Sequence, residues 1–174
     1  MRPRHVSQET PPSSRASDDL VSVRALVAPT RSEIEAVAEI FDQYRVHYGQ
    51  ASDAFRSLAW LDENLSTGRL HAFVAEVNVR FVGFALAMDV PGSLRLAHYW
   101  QIRDLFVLPT QRRLGVGRAL LSAIRAAATE SKALRLVVQT EDDNDPALRL
   151  YADSGYALIK GYCSLMLRLG PEPR

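Results

Sequence analysis

One stretch constrains the fold of this chain more than any other: Val107-Leu108-Pro109-Thr110-Gln111-Arg112-Arg113-Leu114-Gly115-Val116-Gly117. Leu105 to Val107 alternates like the end of a strand, Pro109 stops any ladder, and a short basic loop leads into a helical run opened by glycines. Gly115 and Gly117 let the backbone approach a bound group closely. The first N–H groups of the helix have no intrahelical acceptor, and they point the same way as the positive end of the helix dipole. A strand, loop and helix joined in this way suits a pyrophosphate.

Spacing separates the nucleotide-type readings of this loop. A Walker-type loop needs Lys-Ser or Lys-Thr after the second glycine, and Arg118-Ala119 stands there. A dinucleotide fingerprint needs a third glycine three residues after the second, where this chain has Leu120, on a turn shorter than Pro109 to Leu114. An ordinary glycine-bearing helix start would account for a lone G-x-G. A second stretch argues against that plainer reading: Asn144-Asp145-Pro146-Ala147-Leu148-Arg149-Leu150-Tyr151-Ala152-Asp153-Ser154-Gly155-Tyr156. The patterns V-x-P-x-x-R-x-x-G-x-G-x-x-L and N-x-x-A-x-x-x-Y-x-x-x-G-[FY], in this order, resemble the two signatures of the GNAT superfamily of acyl-CoA-dependent N-acetyltransferases. The resemblance runs from Trp100 to Leu169.

Composition narrows the class. With 174 residues, 47% of them hydrophobic, there is room for one domain with a full core. A net charge of +1 provides no global field to recruit nucleic acid or an anionic membrane. The single cysteine, Cys163, forms no internal disulfide, which fits a cytoplasmic setting, and its apolar surroundings predict a packing role. Residues 1–19 hold Pro3, Pro11 and Pro12 among polar residues and are expected to form a mobile tail ahead of a single domain over 20–174. No stretch reads as a signal peptide or a membrane span.

Periodicity predicts a first strand over Leu20–Val27, then a helix capped by Thr30 with Glu33 three residues on, carrying Ile34, Val37, Phe41, Tyr44 and Tyr48. A second helix follows Ser52 or Asp53. Leu70–Val77 and Phe81–Met88 form a hairpin, with the next turn at Pro91-Gly92. His98–Val107, a helix over Gly115–Ser131 and Leu134–Thr140 form a right-handed crossover with parallel strands. A short helix over Pro146–Ser154 precedes a final strand pair, Tyr156–Lys160 and Ser164–Leu169. The resemblance implies an α/β GNAT fold: a mixed central sheet of about seven strands, splayed between strands 4 and 5, flanked by about four helices.

The implied chemistry is transfer of an acetyl group from acetyl-CoA to a primary amine of a small molecule, amino acid or peptide, by direct attack in a ternary complex. Backbone N–H groups of Gln111, Arg112, Arg113, Leu114, Gly115, Val116 and Gly117, with Arg118, would hold the pyrophosphate. Leu105 and Val107 would pair with the pantetheine amides as an added strand, and the N–H of Phe106 or Val107 would polarise the thioester oxygen. Asn144 matches a position contacting the CoA arm, although helix capping explains it equally well. Tyr151 matches the position whose phenol faces the sulfur; with a pKa near 10 it stays protonated and can donate to a thiolate of pKa about 8.5. No metal is called for.

Asp104 is the first candidate for a general base, with an ion pair to Arg103 or Arg135 as the structural alternative. His98, Glu141 and an ordered water are the others. The acceptor wall is expected from Tyr44, Tyr48, Trp100 and Arg103, in stretches that look like the subgroup containing yeast histone and polyamine acetyltransferases and their bacterial relatives. Polyamine enzymes typically carry an acidic residue where this chain has Arg103, which better suits an amine that also bears a carboxylate. Other readings are an acyl-CoA-binding regulatory module without turnover, and a nucleic-acid or chromatin-tail binder using the basic N-terminal segment. An apolar last strand, Tyr162 to Leu169, fits pairing in a homodimer.

Overall fold

A computed structural model describes residues 21–161 and 163–170, so the expected tail over 1–19, Leu20 and Tyr162 lie outside the described residues. The elements follow the expected order: β1 (Ser22–Ala25), α1 (Arg31–His47), α2 (Ala54–Ser66), β2 (His71–Val77), β3 (Arg80–Gly92), β4 (Ala97–Val107), α3 (Val116–Glu130), β5 (Leu136–Val138) and α4 (Asp145–Asp153). Thr30 caps α1 as expected, its hydroxyl accepting from the Glu33 N–H while the Glu33 carboxylate accepts from the Thr30 N–H at 2.7 Å. Asp53, rather than Ser52, caps α2. No helix among the described residues is long and apolar enough to cross a membrane.

The sheet runs β1-β2-β3-β4-β5, antiparallel except for the parallel β4–β5 pair at its edge. α1 and α2 cover one face through Ile34, Val37, Phe41, Leu61, Phe84, Leu86 and Phe106; α3 covers the other through Leu120, Leu121, Ile124, Ala85, Ala87, Trp100 and Ile102. Three expectations are corrected. Pro91-Gly92 is not the turn: both lie in β3, paired with His98 and Ala97, and the chain reverses over a 3-10 turn at Ser93–Arg95. Proline is tolerated there because β2 has already ended, its His71 pairing with Ala87, so no neighbour needs the missing N–H.

The described residues form five strands, not seven, because 156–160 and 164–169 join no ladder. Leu165, Leu167 and Leu169 alternate as strand residues do, yet pairing needs an adjacent edge, and β5 supplies only three residues. Cys163 is exposed instead of packed, as a result of the same departure from the sheet.

A register shift in β4 sets up the site. Leu86 pairs with Asp104 while Ala87 pairs with Ile102, leaving Arg103 as the extra residue of a bulge. Before it, Trp100 and Ile102 face α3; after it, Leu105 and Val107 face α3 while Phe106 turns toward α1. Without the bulge, Asp104 would share a face with Ile102 and point away from α1. β5 stops at Val138, opposite Ile102, so Arg103–Val107 has an open edge and the sheet splays there.

The α1–α2 connection is pinned by Asp42, only 7% exposed. Its Oδ1 accepts from Arg45 at 3.0 Å, the Asp53 N–H at 2.9 Å and Ser57 at 2.8 Å, and its Oδ2 accepts from Ser52 at 2.5 Å. The Ser52 hydroxyl leads the donors that outweigh burial and hold this carboxyl at about 2. Asp42→Ala strands these donors and is expected to cost about 3 kcal/mol in urea unfolding. The wild-type contribution should persist above the unfolded carboxylate pKa of about 3.9 and fade as pH falls toward the folded value.

Candidate active site

The loop after β4 arranges its amides unevenly. The Gln111 N–H donates to Leu108 at 2.8 Å and the Arg112 N–H to Pro109 at 3.4 Å, closing a 3-10 turn at Pro109–Gln111. The N–H groups of these two residues are therefore engaged, contrary to their expected place in the anion cradle. Those of Arg113, Leu114, Gly115, Val116, Gly117 and Arg118 have no acceptor among the described residues. Arg113 (φ 67°) and Gly115 (φ 83°) both take the left-handed conformation, which turns successive N–H groups into one concavity at the start of α3. They open on a cleft of about 530 Å³ lined by Leu105, Phe106, Val107, Gly115, Gly117 and Arg118, with Asn144 and Leu150 opposite.

The slot edge of β4 is equally specific. Leu108 N–H donates to Val82 on the β3 side, so alternation directs the N–H of Val107, and of Leu105, to the open side where β5 is missing. The N–H of Phe106 points to β3 and its ring is buried among the α1 side chains, which removes it as a thioester donor. The Arg112 side chain reaches back along this edge, its Nε donating to the Val107 carbonyl at 3.0 Å and its guanidinium lying 5.4 Å from the Phe106 ring. Arg118 sits 3.7 Å from Asp153, both exposed.

A second cavity of about 350 Å³ adjoins the first and shares Tyr48, Leu105, Asn144, Ala147 and Leu150 with it. It gathers Tyr44, Arg103, Asp104, Glu141 and Tyr151 from four separate segments. The Tyr151 hydroxyl has no partner among the described residues; burial first, then the Tyr156, Tyr48 and Glu141 side chains, push its pKa up to about 12. Asp104 is held above the ordinary carboxylate range by burial, against the opposing pull of a hydrogen bond from Tyr44 and the charge of Arg103. That bond, Tyr44 Oη to Asp104 Oδ1, is 2.6 Å long.

Asn144 caps α4, its Oδ1 accepting from the Ala147 N–H at 3.3 Å, and lines both cavities at the same time. Glu141 accepts from Asn144 and Thr140 and, with its own backbone N–H foremost, is held below the usual carboxylate range. Trp100 is not at the acceptor wall: it is 6% exposed and stacked on His71 at 4.5 Å, because it precedes the bulge and faces α3. His98 lies beside Ser131, and Arg135 over Tyr99, both away from Asp104. Arg103 makes no ion pair among the described residues. Sequence reasoning missed the Tyr44–Asp104 bond and the place of His47 in the first cavity; the residues lie far apart in the chain, and no local pattern signals the bulge that joins them.

A parallel strand pair that parts beside a turn of free amides is the architecture of an acyl-group transferase of the GNAT type, and the match to known proteins agrees. The chain belongs to the acetyltransferase (GNAT) family, whose model matches residues 34–156. It is similar to the uncharacterized N-acetyltransferase YhfO of Bacillus subtilis, 35% identical over 138 residues that cover 79% of this chain and 93% of the relative. The crystal structure of a probable acetyltransferase superposes with a TM-score of 0.80 at 25% identity, covering 87% of this chain and 99% of that one. An aminoglycoside N-acetyltransferase, AAC(6')-Iy in complex with CoA, shares the fold at a TM-score of 0.69 and 20% identity, over 86% and 95% of the two chains.

Proposed function

We propose that this protein moves an acetyl group from acetyl-CoA to a primary amine by direct attack within a ternary complex. The observation that carries this reading is continuity: the cleft at the free amides of Arg113–Arg118 runs, past Leu105 and Asn144, into the cavity of Tyr151 and Asp104. The CoA complex of a protein with the same fold adds support.

In this reading the diphosphate sits against the amides of Arg113–Arg118. The pantetheine arm lies along the open edge of β4, where the N–H groups of Leu105 and Val107 face the slot. One of them donates to the thioester oxygen as it gains negative charge. The amine arrives through the second cavity as an ammonium, gives a proton to Asp104 and attacks the carbonyl carbon; as the C–S bond breaks, Tyr151 donates its proton to the departing thiolate, and the proton still to be lost from the new amide nitrogen restores the phenol. A phenol held at about 12 stays protonated at neutral pH and serves as a donor to the sulfur as negative charge develops on it. Release of CoA thiol, followed against a panel of an amino acid, a dipeptide and a diamine with and without protein, tests the reading. Release that no amine accelerates would contradict it.

The acceptor is proposed to carry a carboxylate beside its amine, because exposed Arg103 stands at the cavity edge next to Asp104 and Glu141. The two acids favour the ammonium and the guanidinium suits the carboxylate. Arg103→Glu should shift preference in kcat/KM from the amino acid toward the diamine; an unchanged ranking would remove Arg103 from acceptor choice. Support for a homodimer comes from the apolar side chains Leu165, Met166, Leu167 and Leu169, all of them exposed.

A further inference from the structure

We infer that Tyr44 is a positioning residue for Asp104, its phenol holding Oδ1 so that Oδ2 is left as the proton acceptor of the second cavity. The inference rests on the proposed role of Asp104 as base and adds the group that makes that role workable.

A carboxylate half-buried between β4 and α1 faces two conflicting demands. Burial strengthens it as a base but also favours the protonated form, which accepts nothing. One donor to the charged form moderates the shift, provided it engages a single oxygen. Tyr44 meets that requirement: its hydroxyl donates to Oδ1 at 2.6 Å, and Oδ2 has no donor among the described residues.

The phenol is held by its ring. It stands edge-on to Phe84 at 5.8 Å, to Phe106 at 5.8 Å and to Tyr48 at 5.0 Å. A phenylalanine would fill the same aromatic packing, so the packing does not require the hydroxyl. Burial and the adjacent carboxylate together push the Tyr44 pKa well up, so it remains a donor and never competes for the acceptor's proton. The other groups facing Asp104 are Tyr48 at the C-cap of α1, Arg103 from its own strand, Glu141 from the segment after β5, and Tyr151 from α4. None of them donates a hydrogen bond to the carboxylate, which leaves Tyr44 as its one neutral donor among the described residues.

The signature is a displaced pH profile. Removing a donor from a carboxylate raises its pKa, so in Tyr44→Phe the acid limb of kcat/KM for the amine turned over fastest in the panel should move to higher pH. The expected displacement is about one pH unit, with the KM for acetyl-CoA near wild type. A residue that mattered only for packing would lower the plateau and leave the limb in place. Asp104→Asn separates the two levels: an acid limb surviving in that variant would sink the base, while a limb lost there but unmoved in Tyr44→Phe would overturn only the role of Tyr44. A measurement independent of turnover is the carboxyl 13C titration of Asp104, assigned through Asp104→Asn. An upward shift in Tyr44→Phe is expected, and an unchanged midpoint would refute the inference.

Discussion

Tyr151→Phe is expected to lower kcat by more than tenfold while leaving acetyl-CoA binding almost unchanged. The phenol ring lies against Tyr156 with centroids 5.7 Å apart, and phenylalanine keeps that contact, so the slot retains its shape. Only the hydroxyl is lost, and it has no other partner among the described residues. A thiolate of pKa about 8.5 leaving unprotonated from a partly desolvated slot raises the barrier by roughly the contribution of one positioned acid, which is on the order of a hundredfold in rate. Single-turnover thiol release at saturating amine, beside a calorimetric titration with CoA, separates chemistry from binding. Unaltered turnover would take Tyr151 out of the mechanism.

Gly115→Val should act on binding instead. Gly115 has φ 83°, and an added Cβ would meet nothing within 4 Å, so space is not the difficulty. Backbone conformation is. A β-branched residue in the left-handed region costs about 1–3 kcal/mol, and the loop relieves that strain by rotating away from it. Rotation disperses the N–H groups of Arg113–Arg118 that face one concavity. The dissociation constant for acetyl-CoA is expected to rise about tenfold or more, with unfolding free energy little changed, since Gly115 contributes no side chain to the core. Equal affinity in the two proteins would mean that the turn is not where the cofactor is held.

Much of this architecture is legible in the chain because it rests on local rules. The Thr30–Glu33 cap, the Gly115-to-Glu130 helix start and run and the Asn144-capped α4 follow from local spacing, and the parallel β4–β5 pair follows from the right-handed crossover that a strand, helix and strand in series require. The second cavity is different. Its geometry depends on Arg103 being the extra residue of a bulge, and a bulge is a relation between two strands that neither β3 nor β4 carries alone. The resemblance put Trp100 at the acceptor wall, whereas its place before the bulge leaves it stacked on His71 in the core under α3. The unpaired segments after Gly155 misled for a related reason, because strand-like alternation specifies a face and pairing specifies a neighbour. Tyr44 was expected at the acceptor wall, but its bond to Asp104 was not, and nothing local marks Asp42; their partners lie in β4 and in the α1–α2 connection.

The central claim is that amides at the mouth of α3 grip the diphosphate of an acyl carrier. Thermal unfolding with acetyl-CoA, compared with acetyl-pantetheine, which has the thioester arm but no diphosphate, tests it most directly. Acetyl-CoA at a hundred times its dissociation constant should stabilise the fold by about 2.7 kcal/mol and raise Tm by several degrees, and acetyl-pantetheine at the same concentration should do far less. Equal shifts for the two compounds, or a Tm unmoved by acetyl-CoA at concentrations on the order of millimolar, would contradict the account.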